Sequence, residues 1–221
     1  MRYRCLVLDH DDTAVDSTRE VHHPAHLRSM ELLRPKEEAV DLENWFRKNF
    51  DPGITGYLQD ELGFSDDEME LENRIWRQFN QRGRARFFPG FLEALARYQA
   101  AGGCFVVASH SEEDIIRSHY LQGSNGVVVQ PELIFGWDLG PERRKPKPFA
   151  IHETLRRLAL RPEDVLVVDD LKPGVDMARS AGVDAAAAGW CHDIPEIRAF
   201  MAQECVATFE TVEEFARYIL Q

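Results

Sequence analysis

Long apolar runs are missing from this chain of 221 residues, and none approaches the roughly 18 residues of a membrane span. At the N-terminus Asp9 ends the run Cys5-Leu6-Val7-Leu8 after four residues, whereas a secretory signal has an apolar stretch of about 7–15. Cysteine is scarce too. Cys5, Cys104, Cys191 and Cys205 are widely scattered with no CxxC pair, which argues against a zinc site or a disulfide framework and for free thiols in a reducing compartment. Basic charge is in short supply, with 26 Lys and Arg against 38 Asp and Glu, a net charge of −12. Such a surface repels a phosphate-rich polymer, so nucleic acid is not an expected partner. A small anion held locally by a metal ion and a few cations is not excluded. Internal repeats and low-complexity tracts are absent as well. The hydrophobic fraction of 44% is that of a globular chain with a core. These absences leave a cytoplasmic globular protein, expected as a monomer or weak dimer.

What is present is an alternation. Short apolar runs lie at 3–8, 104–108, 133–135, 165–168, 184–188 and 206–209, and four of the six are followed directly by a polar residue. Amphipathic stretches at 91–101, 112–122, 149–158, 173–181 and 211–220 lie between or after them. Continuous apolar strands separated by helices indicate a parallel sheet covered on both faces, and right-handed crossovers make it a doubly wound α/β fold. Residues 15–88 break the rhythm: they show no strand pattern, only charged helical patterns with large aromatics (Trp45, Phe46, Phe50, Trp76, Phe79). The expected organisation is therefore a core of residues 1–14 and 89–221 with a small helical cap, 15–88, inserted in it.

An open parallel sheet binds its ligands at the carboxyl ends of its strands. The residues following the apolar runs are Asp9, Ser109, a basic segment with Lys145 and Lys147, and Asp169-Asp170. Asp9 and Asp11 alternate along an extended segment, so both can face one site. Carboxylates so close stay ionised together only around a cation or a proton, and hard oxygen ligands suit Mg²⁺. Ser111 with Asp114 three residues on has the spacing of a capping box, which starts a helix at Ser111 and turns its N-terminus, with the Ser109 hydroxyl, toward a phosphate. Lys145, between Arg144 and Pro146, can neutralise a phosphoryl oxygen or orient the carboxylate of Asp9.

These motifs together resemble the haloacid dehalogenase-like superfamily, in the subgroup of phosphoglycolate phosphatases and β-phosphoglucomutases whose helical cap follows the first strand. Asp9-His10-Asp11-Asp12-Thr13 is similar to the family's DxDGT, Ser109 to its second motif, Lys145-Pro146-Lys147-Pro148 to its KPxP, and Asp169-Asp170 with Gly174 to its fourth. The resemblance covers roughly residues 3–14 and 86–220. It implies a Mg²⁺-dependent phosphatase acting on a small phosphorylated metabolite, with Asp9 as nucleophile and Asp11 as general acid and base. Asp9, the Asp11 carbonyl and Asp170 would hold Mg²⁺, with Asp169 orienting them; Ser109 and Lys145 would bind the phosphoryl oxygens, with His110 beside them. An acid at Asp11 favours phosphate chemistry over dehalogenation. A sugar-phosphate mutase would use the same set, and a non-catalytic phosphoacceptor module shares several of its residue types but places its acidic pair after the first strand.

Three features depart from the pattern. Asp12 stands where glycine is usual and is expected as a solvent-facing turn residue. His110 stands where asparagine is common, to contact substrate or to cap its loop. His22 and His26 have the spacing of a helical metal pair, but Pro24 lies between them, and surface histidines are the expectation for His22, His23 and His26.

Overall fold

The computed structural model describes residues 1–82 and 85–221; the part of the expected insert at residues 83 and 84 lies outside them. The chain divides into two compact units, Met1–Val15 with Phe87–Gln221, and Asp16–Arg86.

The larger unit is built on a six-stranded parallel sheet. Its strands are β1 (Cys5–Leu8), β4 (Cys104–Ala108), β5 (Ile134–Phe135), β6 (Val165–Asp169), β7 (Asp184–Ala188) and β8 (Ala207–Phe209), in the order β5-β4-β1-β6-β7-β8. Every residue of β1 and β6 is buried, the pattern of strands covered on both faces and the reason their sequences run apolar without alternation. β1 pairs with β4 on one side and β6 on the other, Leu8 lying opposite Val107 and Val168. Between and after the strands come α4 (Phe91–Ala100), α5 (Glu113–Gln122), α6 (Phe149–Arg157), α7 (Lys172–Ala181), α8 (Pro195–Glu204) and α9 (Val212–Ile219). The core gathers Leu6, Leu8, Phe91, Leu95, Tyr98, Phe105 and Phe215. All five expected helices appear within about two residues of their expected bounds, although α5 starts at Glu113 rather than at Ser111, where its capping pattern placed the start. α8 was not expected. It buries only Ile197 and Met201, with Pro195 at its start, and so offers almost no apolar stripe to read.

The smaller unit holds α1 (His23–Leu33), α2 (Leu42–Phe50) and α3 (Asp66–Arg82), with π-helical turns at Thr18–His22 and Gly56–Glu61. Asp41 caps α2 through the Asn44 amide, 2.8 Å away. Met30, Trp45, Tyr57, Leu58 and Phe64 form this unit's own core, so Trp45 among the sequence's large aromatics is a packing residue. Two short strands, β2 (Val15–Asp16) and β3 (Arg86–Phe87), pair as a separate ribbon where the chain passes between the units. Strands of two residues carry no periodicity, so the sequence could not announce them. Among the described residues no helix is long and apolar enough to cross a membrane.

Candidate active site

The sheet order decides which polar residues meet. Because β1 lies between β4 and β6, the loops leaving the three strands emerge side by side. The Asp9 amide donates to Val168 O at 2.9 Å, and the Ser109 amide to Phe135 O at 2.9 Å. Asp9, Ser109, Asp169 and Asp170, far apart in sequence, are all buried at this edge.

One lysine serves two of these carboxylates. Lys145 Nζ lies 2.8 Å from Asp9 Oδ1 and 2.8 Å from Asp169 Oδ2, with its side chain only 5% exposed. Burial opposes the lysine's charge, but Asp169 and Asp9 outweigh it and hold the amine above its ordinary range. His110 Nε2 donates to the Lys145 carbonyl oxygen at 3.0 Å. The ring that the sequence grouped with the phosphate contacts thus secures the backbone from which Lys145 reaches inward. Burial pushes this imidazole down to about 4, so it stays neutral.

Asp169 is locked from three directions. Besides Lys145, the Leu171 amide donates to its Oδ1 at 3.0 Å. Gly174 in the first turn of α7 closes the third side: a Cβ there would lie 2.1 Å from Asp169 Oδ2. Glycine is required at this position for close approach. Asp170 Oδ1 accepts from Thr13 Oγ1 at 3.2 Å, and Oδ2 from the Cys191 thiol at 3.7 Å. Burial, then Asp170, pushes that thiol well up, so it remains a donor.

Oxygens of Asp9, Asp169 and Asp170 all lie within 4.8 Å of one another. Burial pushes Asp9 up to about 8, against the pull of Lys145 and with Asp169 and Asp11 adding to it. Burial, Asp169 and Asp9 likewise push Asp170 well above the carboxylate range. Three buried carboxylates against one ammonium leave a deficit of positive charge, and an all-oxygen set of this kind fits a divalent cation such as Mg²⁺. Asp170 also belongs to a grouping with Cys191 and His192, whose softer ligands suit Mg²⁺ less well.

Asp11 is handled separately. Its Oδ2 accepts from Ser109 Oγ at 3.1 Å and from Ser111 Oγ at 2.6 Å. The expected capping box at Ser111 is therefore not formed. Glu112 occupies the N-cap of α5 without a side-chain cap bond, and the helix starts at Glu113. The start of α5 is served instead by Asp138, whose Oδ2 accepts from the Glu113 amide at 2.8 Å. Ser111 is a site residue that sequence reasoning spent on a cap; its place two residues from Ser109, in the same loop after β4, was the available signal.

Asp12 is buried, contrary to the expectation of a solvent-facing turn. Its φ of 57° is the left-handed conformation that the family's usual glycine adopts freely. The turn folds back on itself: the Ala14 and Val15 amides both reach His10 O, at 2.9 and 3.0 Å, and the Asp12 amide reaches Val15 O at 2.7 Å. His10 is fully buried, its Nε2 2.9 Å from His119 Nδ1.

In the helical unit the three clustered histidines take separate partners. His22 Nδ1 accepts from Trp76 Nε1 at 2.8 Å, and His23 Nε2 donates to Val40 O at 2.8 Å. His26 stacks on Trp45 with ring centroids 4.3 Å apart. His26 is fully buried, not the surface residue expected from sequence, because it fills this unit's small core.

The model of the family described as haloacid dehalogenase-like hydrolase matches residues 3–182. A phosphoglycolate phosphatase of Mesorhizobium japonicum is 29% identical over 228 residues, which cover 97% of this chain and 96% of that protein. Among solved structures, a haloacid dehalogenase-like family protein of Streptococcus pneumoniae aligns with a TM-score of 0.75 at 17% identity, covering 100% of this chain and 99% of the other. CbbY of Rhodobacter sphaeroides, solved in complex with phosphate, aligns with a TM-score of 0.72 at 18% identity, covering 96% of each chain. At these identities the two structures speak for the fold, a parallel α/β sheet with helices on both faces.

Proposed function

On the premise that this chain belongs to the haloacid dehalogenase-like hydrolases and is a phosphatase, we propose that it hydrolyses a small cytoplasmic phosphate monoester through an aspartyl-phosphate on Asp9. The observation that carries the reading is the position of Asp9: a buried carboxylate paired with Lys145 and crowded by Asp169 and Asp170. A carboxylate nucleophile divides a difficult displacement into two easier ones. In the first, an Asp9 oxygen bonds to phosphorus, the bond from phosphorus to the ester oxygen breaks, and Asp11 gives that oxygen its proton. In the second, Asp11 takes a proton from water, the water oxygen bonds to phosphorus, and Asp9 leaves with inorganic phosphate as product.

Lys145 and the Ser109 hydroxyl would bind the transferring phosphoryl oxygens. Asp9, Asp170 and the Asp11 backbone carbonyl would hold Mg²⁺, and Asp169, tied to Lys145 and the Leu171 amide, would orient the set. The ion would offset negative charge on the phosphoryl group, the main electrostatic requirement of the transfer. The helical unit, 16–86, is read as the cap that selects the substrate. The phosphoglycolate phosphatase relative makes phosphoglycolate the first compound to try.

The test measures phosphate release from phosphoglycolate, a panel of other metabolite phosphates and an aryl phosphate, with Mg²⁺ or EDTA. Release that requires Mg²⁺ and disappears in Asp9→Asn is the expected result. An Asp9→Asn variant retaining activity within about tenfold of the parent would refute the nucleophile.

A further inference from the structure

Two buried hydroxyls converge on one oxygen of Asp11, more than holding a carboxylate in place requires. Ser109 Oγ and Ser111 Oγ both bond to Oδ2, at 3.1 and 2.6 Å. The Ser111 amide in turn donates to Ser109 Oγ at 3.0 Å, so the two serines form one fixed unit at the end of β4. A hydroxyl has a single proton to donate. If Ser109 gives its proton to a phosphoryl oxygen of the substrate, it must withdraw it from Asp11. Ser111 is then the hydroxyl that stays, and its bond is the shorter of the two.

We propose that Ser111 is the positioning residue for the general acid, holding Asp11 Oδ2 while the Ser109 hydroxyl passes to the phosphoryl group. With Oδ2 accepting from the serines, the transferable proton is assigned to Oδ1. Ser111 thereby sets both the direction of the carboxyl and which of its oxygens carries the proton. The inference rests on the roles proposed above for Asp11 and Ser109, and adds one for a residue outside the family motifs quoted for this chain.

Leaving-group dependence is the readout that a structural role would not move. An alkyl phosphate needs its oxygen protonated as the bond to phosphorus breaks; p-nitrophenyl phosphate releases a stable phenolate and barely needs the proton. The ratio kcat/KM reports steps up to the first phosphoryl transfer, so water attack does not obscure the comparison. General acid catalysis contributes about 10²–10⁴-fold, and a misdirected acid forfeits part of that. For the full chain with Mg²⁺, Ser111→Ala should lower kcat/KM for the alkyl substrate at least about tenfold more than for p-nitrophenyl phosphate, and Ser111→Thr should recover most of the difference. Equal losses on both substrates, or no loss on either, would overturn the proposal, and activity toward the aryl substrate reports folding in the same assay. Asp11→Asn separates the two levels of argument. If it shows no alkyl-selective loss, Asp11 is not the acid and the underlying reading fails. If it shows that loss while Ser111→Ala does not, only the role of Ser111 falls.

Discussion

Replacing Gly174 by alanine tests the locked geometry of Asp169. The added methyl would lie 2.1 Å from Oδ2, 2.3 Å from Cγ and 2.4 Å from Cβ of Asp169, where real contacts essentially never fall below 3.0 Å. All three atoms belong to one side chain, so Asp169 must retreat by about 1 Å or α7 must shift away. Retreat lengthens both of its polar contacts, Lys145 Nζ at 2.8 Å and the Leu171 amide at 3.0 Å. Breaking a buried ion pair costs about 3–5 kcal/mol. Alanine in a helix returns about 1 kcal/mol relative to glycine. The net loss is about 2–4 kcal/mol, or about 5–15 °C in Tm for a chain of this size. Displacing a group bonded to Lys145 by about 1 Å should also lower kcat/KM about 10²-fold. The assay is thermal unfolding in parallel with phosphate release, with Ser180→Ala, exposed in the same helix, as the control for helix propensity. A Gly174→Ala protein within about 1 °C and threefold of the parent would refute the claim that close packing fixes Asp169.

Lys145→Met removes the one ammonium that Asp9 and Asp169 share, and should destabilise the protein in EDTA by about 3–5 kcal/mol at pH 8. Asp9, pushed up by burial and now without the ammonium that lowers it, would titrate above the unfolded value near 4, so this variant should gain stability as pH falls from 8 toward 5, and a flat pH profile by chemical denaturation would count against the pairing. His26 supplies a slope of its own. Burial, with the charge of His23 adding to it, depresses its pKa from an ordinary 6.5 to about 4. The folded state refuses a proton that the unfolded chain accepts, so stability present above pH 6.5 is lost progressively toward pH 4, by about 3 kcal/mol for this fully buried ring. Denaturation curves of His26→Gln should lack that component, and superimposable pH profiles for variant and parent would show that His26 does not carry it.

Much of the sheet unit was legible because its central strands are covered on both faces. Runs such as Leu6-Val7-Leu8 and Val165–Val168 can hardly be anything but buried strands between helices, and the polar residues at their ends pointed to the site. Legibility failed where the deciding partner came from elsewhere in the fold. Asp12 looked like a surface turn because nothing local shows that it faces Asp170 and Cys191, more than 150 residues away in sequence. Ser111 looked like a cap because Asp114 is three residues away in sequence, whereas Asp11 is a hundred away and 2.6 Å distant in space. α8 escaped notice because two buried side chains make no stripe.

The sequence by itself determined the chemical inventory and its order along the chain: a nucleophile candidate after the first strand, a hydroxyl after the next central one, a proline-flanked lysine, and an acidic pair after a later strand. Those follow from local pattern, since strand period and the polar residues that end each run are properties of neighbouring residues. The tertiary structure alone decided which groups pair. Placing β1 between β4 and β6 gave Lys145 two carboxylates to bridge and gave Asp11 two hydroxyls. Hydrogen bonds and ion pairs act over a few ångströms of space, and only the folded arrangement brings distant parts of the chain within that range.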